Sequence, residues 1–269
     1  MVGHGLIVVA REAPVNLRVP VDSYTMAAVP PTVLPDSRAR SRFRRRLLHW
    51  YGRHRRDLPW RRTEDPYHIL VSEIMLQQTQ VERVVPKYQE FLDRYPTLEA
   101  LAGSTPEDVR RLWYPLGYNV RPLNLHGIAR EAVASYGGRL PAEAAALRGM
   151  RGIGRYTAGA VLCFAYGRAV PIVDTNVRRV LGRVFLGPRR LAALRGQKAM
   201  WDLAGALVPL RRSYDYNQAL MDFGATWCTA RAPRCGPCPM KRFCATYRMT
   251  GRMTGRTTGR TTGRTDGRA

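Results

Sequence analysis

Four cysteines crowd one short stretch of this chain: Cys228, Cys235, Cys238 and Cys244, spaced C-x6-C-x2-C-x5-C within WCTARAPRCGPCPMKRFC. Thiols so close in sequence can converge on one centre, and the backbone must then wrap around it. Structural zinc sites usually show paired C-x2-C knuckles, because one tight turn offers two sulfurs. Here a single knuckle is flanked by two longer arms, and uneven arms suit the larger four-thiolate iron–sulfur cube. Spacing leaves a zinc clip and two disulfides open. A lone cube would also serve electron transfer, so the rest of the chain has to decide.

The 269 residues are 45% hydrophobic, enough for one large or two modest domains. Formal net charge is +24 and the pI about 11.0. Nearly all the positive charge is arginine, since Lys87, Lys198 and Lys241 are the only lysines. The sign of the charge favours a polyanionic partner, duplex DNA first among them. Four of the five cysteines are clustered, which fits a reducing interior better than secretion. Cys163 sits in the apolar run AVLCFAY and reads as a small buried hydrophobe. No apolar stretch reaches transmembrane length, and GLIVVA makes a poor signal peptide. A cytoplasmic protein with no membrane partner is expected.

Residues 1–38 are rich in Val and Pro, show no lasting period, and read as a disordered extension. A basic run follows, with Phe43, Leu47, Leu48 and Trp50 as a helical apolar stripe. From Tyr67 to about Arg248 the pattern is a succession of helices with short loops and no alternating strands, so the fold class is all-α. The Thr-Gly-Arg repeat of 249–269 cannot bury apolar area and reads as a disordered tail.

In LRGMRGIGRYTAGAVLCFAYG, Gly152-Ile153-Gly154 makes a tight turn between two helices. Glycines there permit positive φ and close approach of a ligand. The N–H groups from Arg155 onward can bind a phosphate without reading sequence. A plain helix–helix turn has the same G-x-G. Further on, Asp174 stands just before an amphipathic helix, where its default role is an N-cap.

LPWR, DPY, SEIMLQQTQV, LGY, NLH, GIGRYTAGA, VDTNV, NQALMDFGA and the cysteine loop together resemble the endonuclease III / MutY superfamily of helix-hairpin-helix DNA glycosylases, and within it the adenine-removing MutY branch. The resemblance runs from about Leu58 to Cys244. It implies a two-lobed helix-hairpin-helix glycosylase fold with a [4Fe-4S] cluster on Cys228, Cys235, Cys238 and Cys244. One lobe would be a six-helix domain, 65–168, and the other would join 39–64 to 169–248. Glu73 matches the proton donor, Asp174 the catalytic aspartate, and Tyr156 and Asn176 the groups that orient them. The family's bifunctional members carry a lysine where this chain has Tyr156, which argues for hydrolysis rather than a Schiff-base lyase. Gln78 and Tyr118 match residues that wedge the duplex, and Gly152, Gly154 and Arg155 those that grip the backbone. Trp60, Arg61 and Gln218 match the lining of the base pocket. Two positions depart from the pattern: Arg151 stands where proline is usual, and Thr175 where glycine is common.

What the resemblance implies is a monomeric, nucleoid-associated enzyme acting on double-stranded DNA with a mismatched or damaged pair. It would hydrolyse the glycosidic bond of adenine opposite 8-oxoguanine or guanine. Relatives that remove thymine or uracil opposite guanine also have the Tyr and the Glu, but generally lack the QQTQV run and the LGY pattern. A non-catalytic DNA-binding iron–sulfur protein would share hairpin, charge and cysteines, yet has no need of Glu73, Tyr156, Asp174 and Asn176 together. Protonation of adenine would let it leave neutral, which asks for a buried carboxylic acid at 73. An ionised carboxylate at 174 would stabilise the sugar cation. A helix placing Glu73, Gln77 and Gln80 on one face would aim all three into one groove.

Overall fold

The computed structural model describes residues 34–117, 120–189 and 198–254, and every regular element among them is helical. The predicted N-terminal extension lies almost wholly outside these residues, as does the tail beyond 254. In chain order the α-helices are α1 (Ser37–His54), α2 (Pro66–Met75), α3 (Val81–Arg94), α4 (Leu98–Ala102), α5 (Pro106–Trp113), α6 (Val120–Tyr136), α7 (Ala144–Gly149), α8 (Arg155–Phe164), α9 (Thr175–Leu181), α10 (Lys198–Leu207), α11 (Ser213–Asp222) and α12 (Ala245–Thr254). The last one carries helix past 248 into the first residues of the Thr-Gly-Arg repeat. There, a Cβ on Gly187 would meet Met249 Sδ at 3.1 Å, so the helix packs closely against that glycine.

Local chemistry sets the starts. Asp36 Oδ1 accepts from Ala39 N at 2.7 Å and opens α1. Asp65 Oδ1 accepts from Tyr67 N and His68 N, with Pro66 at the first helical position, and opens α2. Thr97 and Thr105 do the same for α4 and α5. Phe43, Leu47, Trp50 and Tyr51 form the stripe that α1 buries.

Apolar side chains pack into two clusters. The first takes Leu58, Trp60 and the inner faces of α2 to α8. The second joins α1 to α9, α10, α11 and Met240. Cys163 is buried in the first, as expected, and Asn217 of α11 donates to its Sγ at 3.2 Å and to Val170 O at 3.0 Å. A second tie is ionic. Asp222, fully buried, takes a bidentate fork from Arg61 at 2.8 Å on each oxygen, and Arg56 Nε at 2.7 Å. Both ties draw α11 onto segments of the other cluster or its border, leaving a cavity between the two.

Candidate active site

That cavity measures about 860 Å³. Its walls come from both clusters: Glu73 and Tyr156 on one side, Asp174, Asn176 and Trp201 on the other. Trp60, Arg61, Gln78 and Gln218 line it too. Sequence positions 60 to 218 therefore meet in one place.

Glu73 is on the inner face of α2 and only 4% exposed. Its Oε2 has no hydrogen-bond partner among the described protein groups, and burial of this kind disfavours the charged form. Burial raises its pKa to about 7. The Tyr156 hydroxyl and Arg61 pull the other way, and Asp174 pushes further up. The acid form is thus populated near neutrality. Tyr156 is the second residue of α8, and its hydroxyl donates to Met221 Sδ at 3.6 Å. Burial, then the neighbouring carboxylates, raise its own pKa well above the phenol range, so it stays a neutral donor.

Asp174 caps α9, as expected from its place before that helix. Oδ1 accepts from Val177 N at 2.6 Å and Oδ2 from Asn176 Nδ2 at 2.9 Å. Both donors, and the helix N-terminus, suit negative charge. Asn176 is held in turn: its Oδ1 accepts from Arg179 Nη2 at 2.7 Å. Arg179 also donates to Gly224 O at 2.7 Å and to Cys228 O at 2.9 Å. A Cβ on Gly224 would fall 2.6 Å from Asn176 Cβ, so only glycine fits there. Motif reading found Asp174 and Asn176 but missed Arg179 and Gly224. Their signals, an Arg one turn on and a Gly in NQALMDFGA, look generic without coordinates.

The expectation that Glu73, Gln77 and Gln80 share a helix face is corrected. α2 ends at Met75, Gln78 takes φ +57°, and Gln80 is the N-cap residue of α3. All three glutamines still line the cavity, placed by a turn rather than by helical periodicity. Gln78 is exposed at the mouth. Tyr118 lies outside the described residues.

In the hairpin, Gly152 has φ +94°, and a Cβ there would strike the Asn124 side chain at 2.8 Å. Gly154 has an ordinary φ of −83° and open space around it, and it precedes α8 as its N-cap residue. The two glycines therefore have different reasons to be glycine. Arg155 lays its guanidinium 4.1 Å from the Trp201 ring centroid, joining α8 to α10 by a cation–π contact. Trp60 packs edge-on against Tyr88, so it is a core residue as well as a wall. None of the three lysines lines the cavity.

Residues 71–203 match the HhH-GPD superfamily of base excision DNA repair proteins. A thymine/uracil-DNA glycosylase of Methanothermobacter thermautotrophicus is 37% identical over 202 residues, 75% of this chain and 91% of its own length. The chain belongs to the HhH-GPD superfamily. Adenine DNA glycosylases are similar at higher identity. The human one is 44% identical over 212 residues, 75% of this chain and 39% of its own length. That of Mycolicibacterium smegmatis is 46% identical over 195 residues, 72% of this chain and 66% of its own. The chain thus spans two fifths to two thirds of the length of these two relatives. A solved thermostable thymine-DNA glycosylase superposes with TM-score 0.74 at 36% identity, covering 79% of this chain and 98% of that one. A non-covalent endonuclease III–DNA complex superposes with TM-score 0.70 at 19% identity, covering 81% and 100%, which bears on fold alone.

The superfamily's iron–sulfur members direct attention back to the cysteine loop. Among the described residues no three His, Cys, Asp or Glu side chains stand at metal-ligating spacing. The donor set is nevertheless suited to a four-thiolate cluster. All four cysteines are free, and Cys228, Cys238 and Cys244 pack against the second apolar cluster. Burial pushes the Cys238 thiol up to about 11, Met240 N–H opposes this, and the other three cysteines add to it. Met240 N lies 3.4 Å from Cys238 Sγ and Arg183 Nη1 3.5 Å from Cys228 Sγ, donors of the kind that thiolate sulfur accepts. Both features fit a metal centre, whose cation would be needed to hold these buried sulfurs as thiolates.

Proposed function

We propose that this chain is a monofunctional DNA glycosylase that hydrolyses the N-glycosidic bond of adenine mispaired with 8-oxoguanine or guanine. The observation that carries the reading is the pairing of Glu73, a buried acid with a pKa of about 7, with the doubly hydrogen-bonded Asp174 on the facing wall. Glu73 donates a proton to the departing base, and the carboxylate of Asp174 stabilises the cation left on the sugar. Tyr156 stands by Glu73, and Asn176 fixes Asp174. Adenine is preferred because the relatives with that name reach 46% identity, against 37% for the thymine/uracil enzyme.

The target nucleotide must leave the stack to reach a cavity this recessed. Gln78 would fill the vacated space, a role supported by its exposure and its left-handed turn beside the cavity. Trp60, Arg61 and Gln218 bound the base, and Gly152, Gly154 and Arg155 form the backbone grip. The two-lobe division, 65–168 against 39–64 plus 169–248, is part of the same reading. Cys228, Cys235, Cys238 and Cys244 would hold a [4Fe-4S] cluster whose part is structural: it shapes a loop bearing Arg231, Arg234 and Arg242 toward the phosphates. Duplexes with A:8-oxoguanine, A:G, T:G and U:G pairs, scored for base release under single turnover, test the proposal. Release from the two adenine pairs is expected. Release from T:G and U:G alone would transfer the reading to the thymine/uracil enzymes, and release from none would leave a DNA-binding protein.

A further inference from the structure

Arg121, second residue of α6, is only 5% exposed although it carries a full charge. A desolvated guanidinium is tolerated when its N–H groups find acceptors. Here the Nη1 and Nη2 groups find them on two separate loops. Nη1 donates to Ile74 O at 3.0 Å, Met75 O at 3.0 Å and Gln77 O at 2.5 Å. Nη2 donates to Thr79 Oγ1, Leu116 O and Gly117 O, each at 3.1 Å. The plane lies 5.5 Å from the centroid of the fully buried Trp113 ring.

Two of these acceptors are the last carbonyls of α2, which lack intrahelical partners once the helix stops. Charge there also complements the helix dipole. α2 ends at Met75, two residues beyond Glu73, and Arg121 caps that end, sharing Ile74 O with the N–H of Gln77 at 3.4 Å. The chain then turns through Gln78 at φ +57°, a left-handed conformation that residues with a side chain rarely adopt. Arg121 grips the residues on both sides of it, Gln77 and Thr79. The same fork reaches the turn at Leu116 and Gly117, whose φ is +70°.

We infer that Arg121 is a positioning residue for base extrusion: it fixes the turn that presents Gln78 at the cavity mouth and locks it to the Leu116–Gly117 turn. This rests on the glycosylase reading for the purpose of the wedge, not for the geometry. A lysine would keep the charge but not the fork, since an ammonium cannot satisfy both loops in one plane. The wedge would then be present but loosely aimed.

The test separates extrusion from chemistry. Arg121→Lys and Thr79→Val are compared with wild type on a duplex mismatch and on the same strand with the adenine unpaired in a single-nucleotide bulge. The bulged base needs less help to leave the stack. Expected for Arg121→Lys is base release about tenfold slower on the mismatch and about twofold slower on the bulge, the scale of a misplaced positioning group. Thr79→Val, which loses one tie and keeps its shape, should show the same ordering at about threefold and no change. A duplex with 2-aminopurine at the target position reports unstacking without bond cleavage. At saturating protein its fluorescence should rise with wild type and rise several-fold less with either variant. Equal slowing on both substrates with the unstacking signal intact would overturn the inference and leave Arg121 a support of the fold. A wild type that unstacks 2-aminopurine but releases no base would sink the glycosylase reading and leave the role of Arg121 standing.

Discussion

Asn176 Nδ2 donates to Asp174 Oδ2 at 2.9 Å, two residues away in sequence and across the first turn of α9. The amide is not free to turn, since Arg179 occupies its oxygen. Asp174 is therefore aimed from a second direction besides its own helix N-terminus. Asn176→Ala should slow single-turnover base release by about one to two orders of magnitude, with affinity for uncleaved duplex changed less than about threefold. Equal losses in rate and affinity would mean that Asn176 serves binding.

Glu73 gives a pH signature. A general acid with a pKa of about 7 is lost as pH rises, so the rate should fall above roughly neutral pH with a single ionisation. The same shift has a cost in stability. The folded state holds its proton up to about 7 and the unfolded chain releases it near 4.5, so stability declines as pH climbs through that window. Glu73→Gln should abolish base release and raise stability at pH 8 by roughly 3 kcal/mol, with little gain at pH 4. Denaturant melts at the two pH values check it; an equal gain at both would remove the link to ionisation.

Asp222 is fully buried and opposed by two arginines. Burial alone would raise its pKa, but the Arg61 hydrogen bonds and charge, with those of Arg56, hold it below the usual carboxylate range. Its contribution is present above the unfolded pKa and lost as pH falls through the folded one. Asp222→Asn leaves guanidinium charge buried and should cost about 3–5 kcal/mol near pH 7. A cost under about 1 kcal/mol would mean that Arg61 finds solvent or another acceptor.

Purified under anaerobic conditions, the protein should be yellow-brown with broad absorption near roughly 400 nm, the charge-transfer signature of a thiolate-bound cluster. Cys238→Ser should bleach the colour and weaken DNA binding before it touches the rate at saturation. Stoichiometric zinc without iron or sulfide would reassign the loop.

Tyr156 cannot form a Schiff base, and no lysine lines the cavity. Borohydride should trap no covalent protein–DNA adduct, and strand cleavage should need alkali. Trapping at the level of a true lyase would contradict this.

Sequence made the helices and the site residues legible for different reasons. The Asp174 cap acts over three residues, so local pattern finds it; the caps Asp36 and Asp65 came from the structure. Glu73, Tyr156 and Asp174 stood out because their motifs resemble a family. The end of α2 at Met75 did not, because the run IMLQQTQV looks helical and the side chain that caps its end, Arg121, lies 46 residues later. Arg61 is similar. Its place in the cavity wall was expected, but its fork on Asp222 depends on a residue 161 positions away. Such pairs leave no short-range signal.

The second apolar cluster needs both ends of the described chain, since Arg44 of α1 hydrogen-bonds to carbonyls of Ala206, Leu207 and Val208, 162 to 164 residues later. During synthesis α1 emerges long before these partners exist. The first cluster, drawn mainly from residues 58–172, is contiguous and can settle as it leaves the ribosome. Asp174, α11 and the cysteine loop come afterwards. The order of translation thus delays assembly of the cavity until α11 and Ala225, which line it, have been made and α11 has packed on the helix made first.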